Sequence, residues 1–190
     1  MQELEIEFKN LLTKEQYHSL KQKWFSDETP QSQTNYYFET DDFKLKHNQA
    51  ALRVRKKGNQ YVATLKQPQS EGLLETHDPL TEDEAQNWFN HQVALKDNIK
   101  HQLQQMNIAE DHINYKGFLK TDRLEKTESN FTIVLDHSEY NGFEDYELEV
   151  EAPSYEEGLA FFQKLLNDYH IEQKPSTNKI QRFFQTLTNA

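Results

Sequence analysis

Segment after segment of this chain alternates charged with apolar residues, and that period of two governs what it can fold into. The opening "MQELEIEFKN" sets Glu3, Glu5, Glu7 and Lys9 against Leu4, Ile6 and Phe8. Successive side chains of a strand point to opposite faces, so one face here is charged and the other apolar. The strand rise puts the like charges about 7 Å apart. "DYELEVE" repeats the pattern: Asp145, Glu147, Glu149 and Glu151 share a face, with Tyr146, Leu148 and Val150 behind. Such a face either meets solvent, where exposed acids cost little, or holds a cation.

Two hairpins carry the complementary charge. In "AALRVRKKGNQYVATLKQP" the pair Gly58-Asn59 is a two-residue turn between β-rich runs. Counting back from it pairs Lys57 with Gln60, Arg55 with Val62, Arg53 with Thr64 and Ala51 with Lys66. Arg53, Arg55, Thr64 and Lys66 then share one face, and Leu52, Val54, Tyr61, Ala63 and Leu65 the other. The later hairpin turns at Thr127 to Asn130. It places Thr121, Arg123 and Glu125 together, and Asp136 with Thr132 and Val134. "QTNYYFET" and "GLLETHDPL" read as further strands.

The apolar faces need cover, and amphipathic helices supply it. Thr13 and Gln16 have capping-box spacing for a helix to about Phe25. Thr81 and Glu84 open a helical region to about Ile108, broken near Ala94 to Asp97. Ser154 and Glu157 start a third, carrying Leu159, Phe162, Leu165 and Leu166. A last helix runs from about Thr177 to Leu187. The count is about eight strands and four or five helices. Most strands follow one another through short turns, so the expected class is α+β with an antiparallel sheet. No linker divides residues 1–190, which read as a single domain.

Composition narrows the function. With 190 residues and 12 Phe, 9 Tyr and 2 Trp, the chain has material for a sizeable core. A net charge of −11 argues against a general nucleic-acid binder. No cysteine is present, which rules out disulfides and thiolate metal sites. No apolar run has the length of a signal peptide or a membrane helix, so the expected location is cytoplasmic. The eight histidines lack metal-ligand spacing and are assigned to surface or packing roles.

The charges sort by sign along the chain. Acids dominate the first and last strands and Asp136; bases dominate Arg53, Arg55, Lys66 and Arg123. Carboxylates are hard ligands suited to Mg²⁺ or Mn²⁺, and guanidinium forks suit phosphate oxygens. A flat sheet with one wet face accommodates these charges. So does a sheet curled into a barrel with a charged lumen, which then requires a charged ligand, because small barrels ordinarily fill with apolar side chains.

At this point the sequence resembles the CYTH superfamily, the triphosphate tunnel metalloenzymes. "EIEFK" at Glu5 to Lys9 fits its ExExK signature. "LRVRKKG", "TLKQ", "TDRLEK", "VLDHSEYNG", "YELEVE" and "STNKIQRF" resemble its later motifs in the family's order. The resemblance implies an eight-stranded antiparallel β-barrel, a tunnel with a charged lumen and helices outside. It implies that Glu5, Glu7, Asp136 and the ExE strand (Glu147, Glu149, Glu151) bind metal. "ELEVE" holds two overlapping ExE pairs, and Glu149 belongs to both. It implies that Arg53, Arg55, Lys66, Arg123, Lys179 and Arg182 bind phosphates. Lys9 would meet either phosphate or the attacking water. Glu75 would support a neighbouring base.

The implied reaction is metal-assisted hydrolysis of a small-molecule triphosphate with Mg²⁺ or Mn²⁺, with catalytic roles for Lys9 and Glu149. Inorganic tripolyphosphate is the first substrate. Thiamine triphosphate or a nucleotide is the second, class IV adenylyl cyclase chemistry the third, and a non-catalytic triphosphate- or polyphosphate-binding module the fourth. No base-recognition feature stands apart from the charged strands, which favours the compact substrate.

Overall fold

The opening charged run does not form one strand. A computed structural model describes residues 1–70, 72–174 and 177–188 of the chain and breaks that run at Ile6. On one side of the break is β1 (Gln2–Glu5), on the other β2 (Glu7–Leu12). The strands that follow are β3 (Gln31–Thr40), β4 (Ala51–Lys57), β5 (Gln60–Pro68), β6 (Leu73–Leu80), β7 (Ile113–Glu128), β8 (Phe131–Tyr140) and β9 (Phe143–Glu151). Among the described residues there are nine strands where the sequence reading counts about eight, and the break at Ile6 accounts for the difference. The helices are α1 (Lys14–Trp24), α2 (Lys44–His47), α3 (Glu82–Phe89), α4 (Asp97–Gln105), α5 (Tyr155–Asp168) and α6 (Lys179–Thr188). No described helix is long and apolar enough to cross a membrane.

The chain divides into two units, each with its own core. The first comprises residues 1–4 and 33–119, the second 5–32 and 120–190. In the first, the strand order is β1-β6-β5-β4-β3. Its central hairpin has the register that the Gly58-Asn59 turn predicts, from Lys57↔Gln60 through Arg53↔Thr64 to Ala51↔Lys66. Gly58 sits at φ 58°, a left-handed conformation that glycine adopts without strain. The apolar faces bury Leu52, Val54, Ala63 and Leu65 against Ala85 and Trp88 of α3 and Ile99 and Leu103 of α4. Each large side chain so buried contributes about 1.5–3 kcal/mol.

Both capping boxes form, at Thr13–Gln16 and Thr81–Glu84. The helical region after Thr81 does split in two, but the gap runs over residues 90–96, earlier than the break read near Ala94 to Asp97, and Asp97 already opens α4. A buried carboxylate secures the start of α4: Asp78 on β6 accepts from the Ile99 amide at 2.9 Å and from Asn98 Nδ2 at 2.6 Å. Buried Glu39 does the same for α2, accepting from the Leu45 amide at 2.9 Å and the Lys46 amide at 3.0 Å. Four residues show no hydrophobic period, so this helix is invisible in the sequence.

In the second unit the order is β7-β8-β9-β2, all antiparallel where the register is defined. The hairpin between β7 and β8 turns at Ser129 and Asn130, within the predicted span. Leu124, Ile133, Leu135, Tyr146, Leu148 and Val150 form the apolar side. They pack with Tyr17 and Leu20 of α1 and Phe162, Leu165 and Leu166 of α5.

Helix α5 lies very close to β2 at Gly158. A Cβ there would stand 2.5 Å from the Ala152 Cβ and overlap the Phe8 ring edge. In an unobstructed helix, alanine for glycine gains about 1 kcal/mol. Here the sign reverses: Gly158→Ala should destabilise the protein by about 1–3 kcal/mol, read as a lower midpoint in chemical denaturation. An unchanged or raised midpoint would mean that the helix does not press on β2.

Candidate functional site

In the second unit the alternating strands align their charges into rows. Register places Lys9 beside Glu149 and Glu149 beside Val134. The next row runs Leu11, Glu147, Asp136, Arg123. On the other side of the first, Glu7 adjoins Glu151, and Glu151 adjoins Thr132. All these positions share one sheet face, because they differ by two along each strand. Glu147 and Asp136 are fully buried, and Glu149 is 5% exposed.

The cations engage these acids directly. Arg123 donates through Nε and Nη2 to both Asp136 oxygens, at 2.8 and 2.7 Å, and through Nη2 to Glu149 at 2.7 Å. Lys179, the first residue of α6, reaches Asp136 and Glu149 at 2.5 Å and Glu147 at 2.8 Å. Lys9 pairs with Glu7 on its own strand. Burial opposes the charged form of Glu149, yet Lys179, Arg123 and Lys9 overcome it and hold the carboxyl well below its usual range. Burial likewise opposes the charge on Lys179, but Asp136, Glu149 and Glu147 outweigh it and raise the ammonium pKa. Lys9 is raised against burial by Glu7, Glu149 and Glu147. Glu151 goes the other way: burial raises its pKa, Glu125, Glu149 and Glu7 add to the effect, and Arg123 only partly offsets it.

Arg182, one turn along α6, donates to Asp145 and Glu147. The late motif's Ser176 lies outside the described residues. Glu5 closes β1 just before the break, half-buried.

The first unit presents a basic face of its own. Arg53 and Thr64 are cross-strand partners, and Thr64 is partnered by His77 on β6. Lys66 is paired across to Glu75 in both register and charge, the support that the sequence reading assigns to Glu75. Arg55 Nε donates to Asn35 Oδ1 at 2.9 Å. Arg53 Nε is buried and has no hydrogen-bond partner among the described residues.

The structure adds a cluster that the sequence reading missed. His77 is not merely a packing residue. Its Nδ1 meets Thr64 Oγ1 at 3.0 Å, and its Nε2 lies 3.1 Å from Glu3 and 3.4 Å from Glu75. One ligand atom from each of Glu3, Glu75 and His77 falls within a 4.8 Å group. The available signal was the spacing Glu75–His77, which puts both on one face of β6, opposite Lys66 and Thr64.

The family model of the CYTH domain matches residues 3–184. YjbK of Bacillus subtilis (strain 168), a candidate triphosphatase, is 45% identical over 97% of this chain and 96% of its own length. A crystal structure of a candidate adenylate cyclase from Bacillus halodurans is 40% identical, with a TM-score of 0.92 over 96% of this chain and 98% of that one. HpAC1 from Hippeastrum, at 21% identity, shares the fold with a TM-score of 0.78 over 96% of each chain.

Two adjacent glutamates should respond in opposite ways to neutralisation without metal. The Glu149 carboxyl is depressed, so its stabilisation is present above the unfolded value of about 4.3 and is lost as pH falls through its folded value. Glu149→Gln should therefore cost on the order of 3 kcal/mol at pH 7. The Glu151 carboxyl is raised, so its ionised form is a burden above the carboxylate range. Glu151→Gln should raise the melting temperature at pH 7 in EDTA, and the gain should fade toward pH 4. Melting curves over that range test both; a fall for Glu151→Gln at pH 7 would contradict the assignment.

Proposed function

The chain belongs to the CYTH domain family, and on that premise we propose that it is a metal-dependent triphosphatase acting on inorganic tripolyphosphate in the cytoplasm. The observation that carries this reading is the buried ion network of the second unit. There Arg123 and Lys179 are held on Asp136 and Glu149, while Glu7, Glu147 and Glu151 add further carboxylates to the same face. Metal–phosphate complexes suit a face with both charges, and a relative 45% identical to this chain is named a candidate triphosphatase.

The donor set fits the implied metal. It consists of carboxylate oxygens on adjoining rows, which suit a hard divalent ion, and one of them, Glu151, is unfavourably charged. Glu5, Glu7, Asp136 and Glu149 would hold it, with Glu147 or Glu151 as the second ExE member. Bound Mg²⁺ or Mn²⁺ would supply Lewis acidity at phosphoryl oxygens and a more acidic water.

The chain's own residues do the rest. Arg123 and Lys179 exchange carboxylate oxygens for phosphate oxygens and hold the charge that develops as the terminal bond breaks. Arg53, Arg55 and Lys66 are phosphate ligands in this reading, and the Arg53 Nε donor awaits an acceptor. Lys9, poised by Glu7, meets phosphate or orients the attacking water. Cyclase chemistry is a second reading, because the B. halodurans neighbour is a candidate adenylate cyclase.

Phosphate release from tripolyphosphate, thiamine triphosphate and ATP, with Mg²⁺, Mn²⁺ or EDTA, tests the proposal. We expect metal-dependent release, fastest from tripolyphosphate and abolished by EDTA. Cyclic AMP formed from ATP would replace this reading with the cyclase. Glu7→Gln should lower kcat by about 100-fold or more with the fold intact, and unchanged activity would remove Glu7 from the site.

A further inference from the structure

Arg182 resembles a phosphate ligand in sequence, but its surroundings assign it other work. Nε donates to Asp145 Oδ2 at 2.8 Å, and Nη2 to Asp145 Oδ1 at 3.4 Å. Nη2 also donates to Glu147 Oε2 at 3.0 Å, and Nη1 to Glu147 Oε1 at 3.2 Å. Nη1 donates as well to the Thr177 carbonyl at 2.5 Å. A guanidinium has five N–H bonds, and these contacts engage all of them. The side chain is only 9% exposed. Asp145 has a second donor: the Tyr140 hydroxyl reaches the same Oδ2 that Arg182 Nε engages, at 2.6 Å.

We propose that Arg182 is a positioning residue: it clamps α6 onto β9 through Asp145 and Glu147, and so sets Lys179 against Asp136 and Glu149. Lys179 and Arg182 lie three residues apart, on one side of the helix, and both donate to Glu147. The Thr177 contact ties down the segment entering the helix. When Lys179 moves to a phosphate oxygen, Arg182 keeps Glu147 neutralised and α6 in place. Asp145 and Tyr140 belong to the same device: Tyr140 orients Asp145, and Asp145 orients the guanidinium.

This inference uses the triphosphatase reading only in its kinetic arm. Lysine at 182 keeps the charge but cannot fork two carboxylates, so it distinguishes clamping from charge. R182K and Asp145→Asn should each lower kcat for tripolyphosphate about 10- to 100-fold, the scale of a misplaced group, with KM within about threefold. The double variant should be no worse than the poorer single variant, since both break one device. Tyr140→Phe, the mildest change, should move kcat in the same direction. Amide hydrogen exchange across residues 179–188 should rise in all three single variants, with no substrate present.

A direct phosphate role gives the opposite pattern. R182K and Arg182→Gln would then both raise KM with kcat little changed, glutamine by about tenfold or more, and Asp145→Asn would be silent; that result overturns the proposal. Unchanged exchange in α6 also overturns it, whatever the activity. If wild type hydrolyses nothing while exchange rises in the variants, the triphosphatase reading falls and the clamp stands.

Discussion

The structure of the second unit depends on burying opposite charges together. Asp136 and Glu147 have no exposure, and Glu149 almost none. Each would cost several kcal/mol alone in such a place. They are tolerated because the register of β7, β8, β9 and β2 sets them beside one another and Arg123 and Lys179 bridge them. Well-packed apolar side chains of similar volume would often be at least as stable. Stability alone therefore gives no reason for this network; under the proposed function a charged ligand would.

The same alternation that builds the charged face builds the core beneath it. Leu124, Ile133, Leu135, Leu148 and Val150 alternate with the network residues along their strands. A one-residue slip of any strand would bury the wrong set. The close seat of Gly158 against Phe8 and Ala152 brings α5 down onto the apolar side at the strand carrying Glu7 and Lys9. Packing on one face thus restrains geometry on the other.

Local rules made much of this legible. The Gly58-Asn59 turn fixed every pair of its hairpin, and capping pairs marked two helix starts. The face shared by Asp145, Glu147, Glu149 and Glu151 followed from period two alone. What escaped depended on contacts distant in sequence. The break at Ile6 arises because β1 bonds to β6, with the His77 amide donating to the Met1 carbonyl, whereas β2 pairs with β9. Helix α2 starts on the carboxylate of Glu39. His77 acquires its neighbours only when β6 lies between β1 and β5. Arg182 reads in the sequence as a phosphate ligand of the late motif, since no local pattern announces that Asp145 and Glu147 take up its donors.

The resting network also bears on how the proposed substrate enters. A metal ion arriving alone must take carboxylates from Arg123 and Lys179, leaving those cations with fewer partners in a buried place. A triphosphate arriving alone must draw the same cations off Asp136 and Glu149, leaving buried carboxylates exposed to one another. Either half-step separates charges that the fold holds together. A metal–triphosphate complex would meet both needs at once, since its cation would replace the bases on the carboxylates and its oxygens would receive the bases. Under the proposed function, metal and substrate should therefore favour each other's binding, through a coupling that works equally in both directions. On that reading the acidic opening of the chain would serve a ligand that is itself half cation and half anion.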